Sequence, residues 1–277
     1  MEKKKVSHNI VQYYFSCPEE GLIITGREIL KDKEVSGLTP VAENEGRKVY
    51  RTIFRGQEFY FKIYPYQEVI RCVKDIFRWQ PAVRALKKAR ILRKRGINTV
   101  KPASALVAGS YPWKKKSLLI TEGFSGKNLR DFLVEENFSR SEKRKIISGV
   151  AHMWAKLFKN KVYPGDPNLT NILICREKDE IILSLVDLDG VKVLPFIPWK
   201  KVISNLVKFN AHTYSNMDVG RKPATEITDR DRLLFLEKFL DFLEVDKDKY
   251  LLAEYLQERT VNRLNNWGKG DLIRARK

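Results

Sequence analysis

Asp166, Asn171 and Asp187 fall inside one short stretch, VYPGDPNLTNILICREKDEIILSLVDLDG, residues 162–190. An aspartate is followed five residues later by an asparagine, and an apolar run then leads to two aspartates flanking a leucine. NILI and IILSLVD read as two short strands, so each of these side chains is delivered from the edge of a strand. One carboxylate, one amide and a second carboxylate are what phosphoryl transfer asks of a protein. The first orients or deprotonates the acceptor hydroxyl, and the other two hold magnesium against the donor's phosphates.

That chemistry needs a fourth group, a cation for the phosphates. EFYFKIY places Lys62 inside a strand between Phe61 and Ile63. A lysine buried mid-strand requires an anionic partner, for which a phosphate is suitable, whereas a lysine on the outer face of an alternating strand requires none. Asp166 and Asn171 also carry the Asp-to-Asn spacing of the catalytic-loop pattern H-R-D-x-x-x-x-N. That spacing alone is a weak signal; Lys62, Asp166, Asn171 and Asp187 in this order, on these element types, form a constellation.

The elements that must hold them can be read in outline. LTPVAENEGRKVYRTIF and EFYFKIYPY are β-branched and aromatic runs joined at Arg55-Gly56-Gln57, which predicts a hairpin with room for one further strand before it. PAVRALKKARILRKRG carries Val83, Leu86, Ala89, Ile91 and Leu92 as an apolar stripe, with Pro81 at its start and Gly96 at its end, and reads as an amphipathic helix with a basic outer face. A second hairpin spans ASALVAGSYPWKKKSLLITEGFSG. Helices follow over NLRDFLVEEN and SRSEKRKIISGVAHMWAKLFKN, the latter with Ser141 as candidate N-cap. IPWKKVISNLVKFNAHT, TDRDRLLFLEKFLDFL and DKYLLAEYLQERTVNRLNNW, after the quoted stretch, are helical as well. The chain is therefore α+β, a strand-rich first half and a helix-rich second half meeting near Glu122–Lys127. Residues 1–35 form an extension that either joins the first half or serves as an interaction arm.

The 277 residues, 43% of them hydrophobic, suffice for one large domain or two lobes. No apolar run is long enough for a membrane span or signal core, so a cytoplasmic chain is expected. Cys17, Cys72 and Cys175 are odd in number and widely spaced, as reduced thiols are. Only three histidines are present, and no Cys/His zinc framework can be assembled at the usual spacing, which leaves any metal to carboxylates. The net charge of +19 calls for anionic partners: nucleic acid, an anionic membrane surface, or a phosphorylated or carboxylated substrate. No nucleic-acid-binding motif is readable, so no specific nucleic acid is expected.

VYPGDPNLTNILI, LVDLDG, ARILRKRGINTVKPASAL and RDRLLFLEKFL resemble the lipopolysaccharide-core kinases, bacterial heptose and Kdo kinases with a eukaryotic-like protein-kinase fold. The resemblance runs from about residue 40 to residue 243, and RGINTVKP at 95–102 and the DLD at 187–189 are its most specific parts. It implies a two-lobed protein-kinase-like fold, with an N-lobe over residues 36–122 and a C-lobe over 123–277. It also implies ATP and Mg2+, with Asp166 as catalytic base, Asn171 and Asp187 as magnesium ligands and Lys62 on the phosphates. Glu122 to Phe124 would be the connector whose backbone meets adenine. The acceptor implied is a sugar hydroxyl of the lipopolysaccharide inner core, phosphorylated at the inner face of the inner membrane.

Some positions depart from the pattern. Pro164 and Gly165 replace the His and Arg before the catalytic Asp, which predicts altered loop packing. The helix after Lys62 has Ala85, Lys87 and Lys88 where an acidic partner belongs, leaving Glu68 and Asp75 as substitutes. Gly46 is the one glycine of AENEGRKVY, so the phosphate lid relies on backbone N–H groups and on Arg47 or Lys48. Asn168 stands where protein Ser/Thr kinases place a lysine; it fits a sugar acceptor, or caps the loop through its side chain.

The positive charge gathers beside aromatics at Trp113–Lys116 and at Phe196, Trp199, Lys200 and Lys201, the composition of a membrane-interface contact. Phe196 and Trp199 read equally well as core. His152, on a helix, is expected to be a core or surface histidine. Two alternatives accompany the sugar-kinase reading: an atypical protein kinase, and a catalytically weak adaptor binding anionic membrane or lipopolysaccharide. A protein partner is compatible with all three.

Overall fold

The computed structural model describes residues 1–7, 9–15, 18–44, 47–65, 79–109, 115–136, 138–178, 180–215 and 227–274. They form two compact units, Met1–Phe124 and Ser125–Lys277.

The first unit is built on a seven-stranded antiparallel sheet. Its strands are β1 (Glu2–Ser7), β2 (Ile10–Tyr14), β3 (Thr39–Asn44), β4 (Arg47–Phe54), β5 (Gln57–Tyr64), β6 (Pro102–Ala108) and β7 (Lys116–Glu122), in the order β1-β2-β6-β7-β5-β4-β3. The β4–β5 hairpin turns on Arg55 and Gly56, both at positive φ (51° and 78°), as a two-residue turn matched to strand twist requires. Alternation then sorts β5: Phe59, Phe61 and Ile63 are buried on one face, and Lys62 points to the other.

Each face is covered by a helix. α1 (Glu20–Leu30) lays Leu22, Ile23, Ile29 and Leu30 over Phe59, Phe61, Ile63, Leu106, Leu118 and Ile120. α2 (Pro81–Lys94) lays Ala82, Val83, Ala85 and Leu86 over Tyr64, Ala105, Val107 and Leu119. Residues 1–35 thus supply two strands and the helix over one face. The apolar stripe expected on α2 is corrected at Ile91, which is exposed, while Ala82 and Ala85 are buried.

The second unit is mainly helical: α3 (Leu129–Glu135), α4 (Arg140–Lys159), α5 (Trp199–Ser215), α6 (Asp229–Leu243), α7 (Lys249–Asn266) and the short α8 (Asp271–Arg274). The N-cap of α4 is Ser139 and not Ser141. Ser139 accepts from the Glu142 N–H, and the Glu142 carboxylate accepts from the Ser139 N–H, a reciprocal pair that Ser141 could not make. α4 packs on α6, and α5 on α7. Trp154 on α4 stacks on Phe209 of α5 at 4.5 Å between ring centroids.

Two small antiparallel ladders complete this unit. β10 (Ile172–Glu177) pairs with β11 (Glu180–Leu185) and with β8 (Lys127–Asn128). β9 (Val162–Pro164) pairs with β12 (Val191–Val193), which returns the chain to the start of the Asp166 loop after the DLDG turn.

Candidate functional site

In the second unit the β9–β12 ladder and the β10–β11 hairpin fix the loops that carry Asp166, Asn171 and Asp187. Asp166 follows β9 after the single residue Gly165. Asn171 ends a single 3-10 turn, Leu169–Asn171, at the start of β10. Its side-chain Nδ2 donates to the Asp166 carbonyl at 3.1 Å and lies 3.3 Å from the Asp166 Oδ2. The Val186 N–H donates to the Asn171 carbonyl at 3.0 Å, so Asp187, the next residue, leaves the end of β11 beside Asn171. Asp187 is exposed and adopts a left-handed backbone, φ 53° and ψ 69°, which turns the chain into the Leu188–Gly190 3-10 turn. All three predicted residues of this unit are therefore brought together.

Gly165 and Gly190 hold the two loops in contact. The Gly165 N–H donates to the Gly190 carbonyl at 3.1 Å, and a Cβ on Gly165 would stand 2.5 Å from that oxygen. A glycine therefore stands where the pattern has arginine because backbone occupies the space a side chain would need.

Pro164 takes the place of the architectural histidine, and the support comes from elsewhere. Asn205 of α5, 1% exposed, donates to the Pro164 carbonyl through Nδ2 and accepts from the Trp154 indole N–H at 3.1 Å. One turn along α5, Lys208 Nζ lies 2.9 Å from Asp166 Oδ1 and 3.1 Å from the Gly165 carbonyl oxygen. Sequence reasoning passed over both. Their signal was an asparagine on the apolar stripe of a helix and a lysine three residues later. Asn168 is used as a cap: its Oδ1 accepts from the Thr170 N–H at 3.1 Å.

A magnesium ion needs oxygen donors and accepts as few as one or two from the protein, with substrate phosphates and water supplying the rest. Asn171 fits, since committing Nδ2 to the Asp166 carbonyl turns its Oδ1 away from that bond, and Asp187 adds an exposed carboxylate from the adjoining strand end. Among the described residues no cluster of three or more His, Cys, Asp and Glu is arranged for a metal, so the fit is to an ion that shares its shell with substrate.

The first unit holds the remaining predicted residues. Lys62 is half-buried on the sheet face that α2 covers, opposite Val49 and Leu119 in register, with Nζ 5.2 Å from the Tyr64 ring centroid. The buried positions of α2 facing that sheet are alanine, valine and leucine, so this helix offers Lys62 no carboxylate. Glu68 and Asp75, and likewise Gly46, lie outside the described residues. In the connector, the Glu122 N–H donates to the Lys101 carbonyl at 2.9 Å and its carboxylate pairs with Lys101 Nζ at 2.6 Å. The Gly123 N–H donates to the Glu58 carbonyl at 2.6 Å, and Phe124 is half-buried.

The two basic-aromatic clusters separate. Trp113 lies outside the described residues, and Lys116 is corrected to a buried lysine, 9% exposed and paired with Asp32. Phe196 is 70% exposed, Lys200 and Lys201 are exposed, and Trp199 is half-buried. His152 is a surface residue stacked on Phe242 at 4.5 Å.

A solved structure of WaaP in complex with acyl carrier protein superposes with a TM-score of 0.58 at 20% identity, covering 84% of this chain and 94% of that one. That likeness identifies the fold as the kinase-like one, a strand-rich sheet followed by a mainly helical part. No curated protein matches the sequence significantly. The model of the lipopolysaccharide kinase (Kdo/WaaP) family matches residues 34–236, well over half of the chain. Kinase ancestry implies ATP as phosphoryl donor and a lipopolysaccharide-related acceptor, and the protein belongs to the lipopolysaccharide kinase (Kdo/WaaP) family.

Proposed function

We propose that this protein transfers the γ-phosphoryl group of ATP to a hydroxyl of Kdo or heptose in the lipopolysaccharide inner core, at the cytoplasmic face of the inner membrane. The observation that carries the reading is the hydrogen-bonded set Asp166, Asn171 and Val186-Asp187, held at one end of the β10–β11 hairpin. Asp166 takes the acceptor's proton as the sugar oxygen bonds to the γ-phosphorus, and the bond to the bridging oxygen breaks, ADP leaving with its electron pair. Asn171 and Asp187 would hold magnesium, which when bound neutralises charge on the β- and γ-phosphates. Lys62 pairs with the donor phosphates. With the N–H groups of Glu122 and Gly123 committed to Lys101 and Glu58, the connector's backbone N–H for adenine is that of Phe124.

Phe196, Lys200 and Lys201, exposed on the segment after the DLDG turn, suit an anionic, lipid-anchored acceptor. At about 1 kcal/mol per basic residue near an anionic surface, a few lysines suffice for peripheral binding. Acyl carrier protein, the partner in the WaaP structure, is the first protein partner to try.

The test is transfer of label from γ-labelled ATP, with magnesium, to purified lipid A carrying Kdo and heptose. Label should appear on the glycolipid and fall about 10²–10⁴-fold in rate for Asp166→Ala, as loss of a positioned base does. Label on added protein instead would favour the protein-kinase alternative, and bound nucleotide without any transfer the adaptor.

A further inference from the structure

We propose that Lys208 is a positioning residue for phosphoryl transfer, supplying from α5 the cation that the catalytic-loop pattern carries two residues after its aspartate. The inference rests on the kinase reading of Asp166. In this chain the usual position is taken by Asn168, whose side chain is spent on capping the Leu169–Asn171 turn. No lysine or arginine lies between Asp166 and Asn171. The loop nevertheless has an ammonium. Lys208 Nζ stands 2.9 Å from Asp166 Oδ1 and 3.1 Å from the Gly165 carbonyl oxygen.

The geometry gives that ammonium a specific task. A carboxylate beyond a glycine, 54% exposed, swings freely about its side-chain bonds unless something fixes it. Asn171 Nδ2 reaches the Asp166 Oδ2 at 3.3 Å, and Lys208 grips Oδ1 and the backbone oxygen of the preceding residue together, so its two shorter bonds complete the set that fixes the carboxylate's orientation and its distance from the loop. Charge-assisted bonds of this kind are about twice as strong as neutral ones. Lys208 is itself 28% exposed, and it is anchored by its helix: Asn205, one turn earlier, is buried and bonded to the Pro164 carbonyl. α5 therefore holds Pro164, Gly165 and Asp166 at three successive points. The acceptor's proton arrives on a carboxylate already turned to receive it, and holding a group in reacting geometry is a rate effect more than a binding effect.

The experiment uses the full chain, γ-labelled ATP with magnesium, and purified lipid A carrying Kdo and heptose, for wild type, Lys208→Met, Lys208→Arg and Asp166→Ala. Nucleotide affinity and melting temperature are measured on each. The expectation is that Lys208→Met lowers kcat about 30- to 100-fold, as small misplacements of a reacting group do. Its ATP affinity should stay within threefold of wild type and its melting temperature close to it, and Lys208→Arg should recover at least tenfold of the lost rate. Lys208→Met turning over within threefold of wild type overturns the proposal and leaves the kinase reading intact. A loss that follows melting temperature or ATP affinity, or one that arginine does not relieve, overturns it too. A wild type that binds ATP but labels no glycolipid overturns the kinase reading, and this inference with it.

Discussion

Replacing Asn205 with leucine should cost more than any exposed polar substitution in this protein. The amide sits at 1% exposure between two buried partners, the Trp154 indole N–H and the Pro164 carbonyl. Leucine has the same number and branching of side-chain heavy atoms and is bulkier, so no cavity opens, and the main loss is that of two polar groups left unsatisfied. At about 1–3 kcal/mol for each, the expected destabilisation is about 2–6 kcal/mol. Urea unfolding followed by circular dichroism measures it directly. A double-mutant cycle with Trp154→Phe isolates the shared bond, for which a coupling of about 1 kcal/mol is expected. A change below about 0.5 kcal/mol, or costs that simply add in the double mutant, would refute the reasoning that Asn205 is the buried tie between α4, α5 and the Asp166 loop.

Gly165→Ala should lower stability by about 1–3 kcal/mol through overpacking against the Gly190 carbonyl, and activity by more than the stability loss explains; wild-type turnover in the variant would contradict the close approach. Burial pushes the Asp231 carboxyl up, but its bonds to Lys143 and to Thr228 outweigh this and hold it below the usual aspartate value. Its contribution is therefore complete above about pH 3.9 and disappears as pH falls through the lower folded value, so Asp231→Asn should flatten the acid limb of a stability profile. Deleting residues 1–35 removes α1 from Phe59, Phe61 and Ile63 and opens the β6 edge that β2 covers; size-exclusion chromatography should show aggregates, and a stable monomer would count against this account.

How much of this was legible depends on the range over which each feature is decided. The β4–β5 hairpin, α2 and the strands around Asn171 and Asp187 announce themselves through local periodicity and turn residues, and the structure has them where those signals lie. Asp166 and Asn171 were legible because their partnership is only five residues long. Lys208 and Asn205 were not, because their role is fixed by tertiary contacts with a loop about forty residues earlier, and on a helix they read as one more cation and one more amide. β1 was legible only as one of two alternatives, a part of the first half or an interaction arm: Glu2-Lys3-Lys4-Lys5 suits either, since lysine is also what an edge strand carries. The cap of α4 was misplaced by two residues because Ser139 and Ser141 both stand before a helical pattern, and only the three-residue reach to Glu142 distinguishes them.

The contact between Gly165 and Gly190 bears on how such an enzyme could be switched. Turning the Asp187–Gly190 turn outward would break the Gly165–Gly190 hydrogen bond and strip β12 from β9 along all three of its paired positions. The turn is thus tied by backbone to the loop that carries Asp166. A ligand that demands a rotated turn would have to break those backbone bonds first.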